Sequence, residues 1–176
     1  MTDNLFFDTD CLSSFLWVGR EDIILRRYQN RIIIPQFVYE ELCYPGVQNL
    51  RKIVDNMIVS KLINRMQIDY GTEEARLFRE LTKLPRPGNA IIGKGEASAI
   101  VLAKKHAGKV ASNNLRDVKI YVNEFNLELI TTADILVKEF TDGNLSETDA
   151  NQVWQNMLKK QRKLPATSFS EYLRRL

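Results

Sequence analysis

Short apolar runs alternate along this chain with stretches whose apolar residues recur at helical spacing. Leu5-Phe6-Phe7 stops abruptly at Asp8, and a helical stretch follows over about residues 11–28, with a break expected near Gly19. Arg31-Ile32-Ile33-Ile34 is a β-branched run closed by Pro35. Proline suits the first position of a helix, so residues 35–43 read as a short helix ahead of the Tyr44-Pro45-Gly46 turn. Helices are expected over 47–58 and 72–84, with a weak pattern at 59–68 between them and a loop forced by Pro85-Arg86-Pro87-Gly88. Beyond the loop the pattern predicts helices over 95–107, 115–125, 131–140 and 147–160, and strands over 109–111 and 127–130.

Strands separated by helices predict an α/β fold, a central parallel sheet flanked by helices on both faces with right-handed crossovers. Ligands of such sheets bind beyond the carboxyl ends of the strands. Residues 1–145 form the main domain in this reading, and 146–176 a C-terminal helical extension packed on it. In that extension Ser168-x-x-Glu171 is a capping box, and Phe169, Tyr172, Leu173 and Leu176 share one helical face.

Composition narrows the classes. The chain has 176 residues, enough to bury a core without disulfides. Its formal charge of +3 excludes both a strongly basic nucleic-acid coat and an acidic disordered chain. The charge is uneven: residues 151–176 carry six Lys/Arg and one acid, much of it in Lys159-Lys160-Gln161-Arg162-Lys163. That run reads first as a solvated helix end and, functionally, as an attractor of RNA phosphates. No apolar run approaches the roughly 20 residues of a membrane helix, and Met1-Thr2-Asp3-Asn4 does not open a secretory signal, so a cytoplasmic protein is expected. Cys11 and Cys43 make neither a metal pair nor a disulfide framework. With His106 the one histidine, chemistry must run on carboxylates, amides, hydroxyls and lysines.

Acids stand where the predicted strands end. Asp8 directly follows an apolar strand, and a carboxylate there is costly to desolvate unless paired. Asp8 or Asp10 can instead cap the next helix, a role that suits Asp10 better because Asp8 abuts the strand. Glu41 flanks the apolar stripe of the helix after Ile32-Ile33-Ile34. Glu96 heads the small-residue face of the helix in Gly95-Glu96-Ala97-Ser98-Ala99-Ile100, where it also suits the helix dipole. Asp117 lies in Ser112-Asn113-Asn114-Leu115-Arg116-Asp117, where Asn114 and Asp117 form a capping arrangement. Gathered together, such acids would repel one another and raise each other's pKa, a conflict that a hard divalent cation resolves. Such a cation with an activated water can attack a phosphodiester in line.

Four segments resemble PIN-domain proteins of the VapC-type toxin nuclease group: Phe7-Asp8-Thr9-Asp10, Ile34-Pro35-Gln36-Phe37-Val38-Tyr39-Glu40-Glu41-Leu42, Gly95-Glu96-Ala97-Ser98-Ala99-Ile100 of the G-E-A-x-A-I subgroup, and Ser112-Asn113-Asn114-Leu115-Arg116-Asp117. The resemblance spans most of residues 4–140 and implies a Rossmann-like sheet and metal-dependent endoribonuclease activity on RNA. It further implies a small antitoxin partner and a homodimer. It assigns Asp8, Glu41, Glu96 and Asp117 as an acidic quartet, with Asp8, Glu96 and Asp117 around Mg²⁺ or Mn²⁺ and Glu41 positioning water or a second cation. Thr9 and Asn114 would support the quartet, and Lys94 and Arg116 are candidates for holding substrate phosphate. The chain has amides at Asn113 and Asn114 where that subgroup often carries an aspartate, so one alternative is a degenerate PIN module that binds RNA or a protein without cutting. Another is an aspartate-nucleophile phosphatase, since Asp8-Thr9-Asp10 also resembles the D-x-D of that class.

Overall fold

In the computed structural model, which describes residues 4–84 and 90–176, five short strands form one all-parallel sheet. The loop expected at 85–88 lies outside the described residues. The chain runs β1 (Leu5–Phe7), α1 (Thr9–Leu16), α2 (Glu21–Tyr28), β2 (Ile32–Pro35), α3 (Gln36–Glu41), α4 (Gln48–Val59) and β3 (Asn64–Met66). It continues through α5 (Glu73–Lys83), α6 (Lys94–His106), β4 (Lys109–Ala111), α7 (Leu115–Glu124), β5 (Glu128–Ile130), α8 (Thr132–Thr141), α9 (Glu147–Lys159) and α10 (Phe169–Leu173). The strand order is β3-β2-β1-β4-β5, the architecture that the alternating pattern predicts.

The central strands β1, β2 and β4 are buried on both faces, and successive side chains feed opposite cores because side chains alternate along a strand. Leu5, Phe7, Ile32, Ile34 and Ala111 face one layer, where they meet Leu12, Phe15, Ile23, Val54, Leu136 and Trp154. Phe6, Ile33 and Val110 face the other, with Leu81, Ile100 and Val118. Each of the Val, Leu, Ile and Phe side chains contributes about 1.5–3 kcal/mol on burial.

Three local outcomes differ in detail from the pattern. The stretch expected at 11–28 is two helices, with Gly19 in the left-handed region (φ 64°) at the break. The weak segment 59–68 holds β3, an edge strand whose Asn64 and Arg65 are exposed; with neither face fully buried it leaves no apolar signature. Pro35 ends β2 instead of opening α3, its extended ψ of 147° making it the N-cap residue.

The order of strands creates the site. The chain passes from β1 to β2 on one side, while β4 pairs with β1 on the other. The carboxyl ends of β1 and β4 therefore flank a switch point, the usual crevice of open α/β sheets. Asp8 leaves β1 there, its N–H donating to the Ala111 carbonyl at 2.9 Å, and Ser112 to Asn114 leave β4 beside it.

Two features fasten the helices. Glu139 of α8 is wholly buried and accepts from Arg27 Nε at 2.8 Å and Arg26 Nη1 at 3.2 Å, which ties α8 to α2. Trp154 of α9 is also wholly buried; its Nε1–H donates to the Ala166 carbonyl at 2.9 Å and its ring meets Phe169 of α10 edge-on. Among the described residues no helix is long and apolar enough to cross a membrane. Trp154→Ala should lower the unfolding free energy by about 3–5 kcal/mol, read by urea titration with circular dichroism. A loss below about 1 kcal/mol would show that Trp154 does not fasten α9 to the core.

Candidate active site

Asp8 is the N-cap of α1. Its Oδ1 accepts the Cys11 amide at 2.7 Å, so the capping role falls to Asp8 and not to Asp10. The reason is geometric: β1 ends at Phe7 and α1 starts at Thr9, which leaves one residue between them for the cap. The other carboxylate oxygen, Oδ2, is buried with no hydrogen-bond partner among the described residues. Asp8 is 1% exposed. Burial pushes its pKa up to about 7; the Ser112 hydroxyl and the Cys11 amide oppose that rise, and the nearby Asp10 and Glu96 carboxylates add to it.

Asp8, Thr9, Asp10, Glu41, Gly93, Gly95 and Glu96 line one hollow of about 220 Å³. Glu41, at the end of α3, accepts from the Thr9 hydroxyl and from the Gly95 amide at 3.2 Å. It thus receives the exposed amide end of α6 from a neighbouring helix. Gly95 permits this approach, since a Cβ there would stand 3.1 Å from both Glu41 carboxylate oxygens and from Thr9 Oγ1. Glu96 closes the first turn of its own helix, with Oε2 accepting the Gly93 amide at 2.9 Å.

Asp117 opens into an adjoining hollow of about 460 Å³, which it shares with Asp10, Glu96, Asn113, Asn114, Arg116, Arg162 and Lys163. Asn114 links the two acids, its Nδ2 donating to Glu96 Oε1 at 2.6 Å and to Asp117 Oδ2 at 2.8 Å. Carboxylates accept only, so the amide must present its nitrogen. Asn114 occupies the N-cap position of α7 but its side chain makes no capping bond, which corrects the capping arrangement expected for Asn114 and Asp117. Asn113 is similarly engaged. Its Oδ1 accepts the Thr132 amide at 2.9 Å, and its Nδ2 lies 2.9 Å from Thr132 Oγ1 and 3.4 Å from Asp10 Oδ2.

The structure therefore brings Asp8, Glu41 and Glu96 to one hollow and Asp117 to its neighbour, with Glu96 and Asp10 on both. Among the described residues no three His, Cys, Asp or Glu side chains are gathered closely enough to hold a metal ion between them. Arg116 is exposed and lies 4.0 Å from Asp117 Oδ1. Lys94 extends over the Phe37 ring, 5.9 Å from its centroid, and does not line either hollow. Sequence reasoning missed Asp10 as a lining residue. The signal available was Asp8-x-x-Cys11, which fits a cap directly after the strand and leaves the Asp10 side chain for the hollow. It also left Arg162 in a solvated helix end, whereas Arg162 Nη1 reaches Asp10 Oδ1 at 3.3 Å.

The all-oxygen donors suit a hard cation, and Oδ2 of Asp8 is buried with no hydrogen-bond partner among the described residues. With no three acids close enough together, the fit is to an ion held directly by one or two carboxylates, the rest reached through water, as Mg²⁺ commonly is. The same buried carboxyl makes stability depend on pH. Folded Asp8 keeps its proton up to about pH 7, against 3.8 for an unperturbed carboxyl. Stability therefore falls as pH rises between those values and levels off above the folded one. In a chelator, wild type should lose about 1–3 kcal/mol relative to Asp8→Asn between about pH 5 and about pH 8, measured by urea unfolding. A difference that does not change with pH would contradict the burial of this charge.

Several solved structures share features of this chain. A PilT N-terminus domain protein from the hyperthermophilic archaeon Sulfolobus solfataricus P2 is 11% identical, with a TM-score of 0.49 over 76% of this chain and 91% of that one. DNA-bound VapBC from Salmonella typhimurium is 15% identical, with a TM-score of 0.49 over 73% and 98%. FitAB bound to an IR36 DNA fragment is 14% identical, with a TM-score of 0.48 over 73% and 94%. No curated protein matches the chain by sequence. The family DUF3368, described as a PIN domain, matches residues 5–176. With nearly every residue inside that match, the C-terminal helices included, the chain belongs to the DUF3368 family of PIN domains.

Proposed function

We propose that this protein is a Mg²⁺- or Mn²⁺-dependent endoribonuclease whose centre is the hollow beyond β1 and β4. The observation that carries the proposal is the buried Asp8 carboxylate with one oxygen left without a partner and two further acids, Asp10 and Glu96, close enough to raise its pKa. A fold that needed only a cap at this position would be served by asparagine without the cost of a buried charge.

In this reading Asp8 would hold the cation, with Asp10, Glu96 and Asp117 as the further acids of the centre. When bound, the ion stabilises negative charge developing on a phosphodiester and makes water more acidic. The chain's own groups fix the geometry. Asn114 holds Glu96 and Asp117 in register, and Glu41 braces Thr9 and the start of α6. The amides at 113 and 114 each donate toward an acid, which supports a maintained site over a degenerate one. The four motif segments further support a role as the toxin of a toxin–antitoxin pair, restrained by a small protein partner.

Millimolar Mn²⁺ should raise the melting temperature of wild type but not of Asp8→Asn, and Asp8→Asn should lose cleavage of single-stranded RNA by at least about 100-fold. Asn114→Ala, which frees two carboxylates without removing either, should lose about 10–100-fold in activity. Full activity of Asp8→Asn, or no effect of metal on wild-type melting, would overturn the proposal.

A further inference from the structure

The end of α9 turns back into the site. Lys160 is the C-cap residue, and Gln161 comes next, in the left-handed region at φ 59°. The Gln161 N–H bonds the Leu158 carbonyl at 2.8 Å and the Arg162 N–H the Met157 carbonyl at 3.0 Å, the paired bonds of a Schellman motif. Glycine is the usual residue at that position, and here a glutamine accepts the left-handed conformation. The chain so turned directs Arg162 at the acids. Its Nη1 lies 3.3 Å from Asp10 Oδ1 and 3.4 Å from Ser13 Oγ, and its Nε donates to the Lys160 carbonyl at 3.1 Å.

The hollow that contains Asp117 is consequently two-sided. Asp10, Glu96 and Asp117 stand on it together with Arg116, Arg162 and Lys163. Arg116 is almost fully exposed, whereas the Arg162 side chain is 25% exposed and anchored on α1. A guanidinium offers five N–H donors in a planar fork matched to phosphate, more than its three contacts here engage. A metal centre on the acidic side leaves this cationic side for the next phosphates of a bound strand.

We infer that Arg162, with Lys163, is a substrate-positioning residue that grips the phosphodiester backbone of single-stranded RNA beside the acidic centre. The inference rests on the nuclease reading above and deepens it by giving the C-terminal extension a part in substrate binding.

The test pairs cleavage kinetics with salt dependence for wild type, Arg162→Gln, Arg162→Lys and, as a control, Lys105→Gln, whose charge lies at the far end of α6 and meets Glu74. Arg162→Gln should raise KM about 5–20-fold with kcat changed less than about 3-fold. It should also flatten the slope of log(kcat/KM) against log[salt] by about 0.7, the value for one cation removed from a single strand. Arg162→Lys should restore the slope, and Lys105→Gln should leave it unchanged. If kcat falls while KM and slope stay at wild-type values, Arg162 only orients Asp10 and the inference is overturned while the nuclease reading stands. If wild type cleaves no RNA, both fail.

Discussion

A carboxylate that the fold buries and only half satisfies governs this molecule. Asp8 occupies the single residue between a strand buried on both faces and a helix whose first amides need a partner. One oxygen meets that need and the other is buried with no hydrogen-bond partner among the described residues. Desolvation is the main cause of the raised Asp8 pKa. The position follows from topology, because β1 is the strand flanked by chain running in both directions across the sheet.

Around Asp8, Glu41 and Glu96 are held by backbone amides, a hydroxyl and a side-chain amide, whereas Asp10 meets Arg162. Glu41 and Glu96 terminate the start of α6, and Asn114 spans from Glu96 to Asp117. Neutral donors fix Glu41 and Glu96 without cancelling their charge. Glu139 is the opposite case. That acid is buried as deeply but is answered by two arginines, and it serves to join α2 to α8.

The sheet was legible in the sequence wherever burial on both faces forced an uninterrupted apolar run, as in Leu5-Phe6-Phe7 and Ile32-Ile33-Ile34. It was illegible at β3, whose edge position asks for no such run. The site divides in the same way. That acids follow the strands could be read directly; that Asp8 and not Asp10 caps α1 depended on a single-residue connection, which is finer than pattern alone resolves. The reach of Asn114 to Glu96 depends on how α6 and α7 sit across β4, and no spacing within one segment encodes that. Arg162 was hidden more completely, because a left-handed glutamine carries no glycine to announce the turn.

The Schellman end of α9 makes that helix a gauge. Each added or deleted residue would advance its end by about 1.5 Å and rotate the Arg162 segment by about 100°. Trp154 and Phe169 pin its flank against the core, so the helix has no freedom to slide and absorb the change. Insertions that the exposed turns of this chain would tolerate are therefore barred from α9, and the number of residues from Ser146 to Gln161 is set by a distance measured across the molecule to α1.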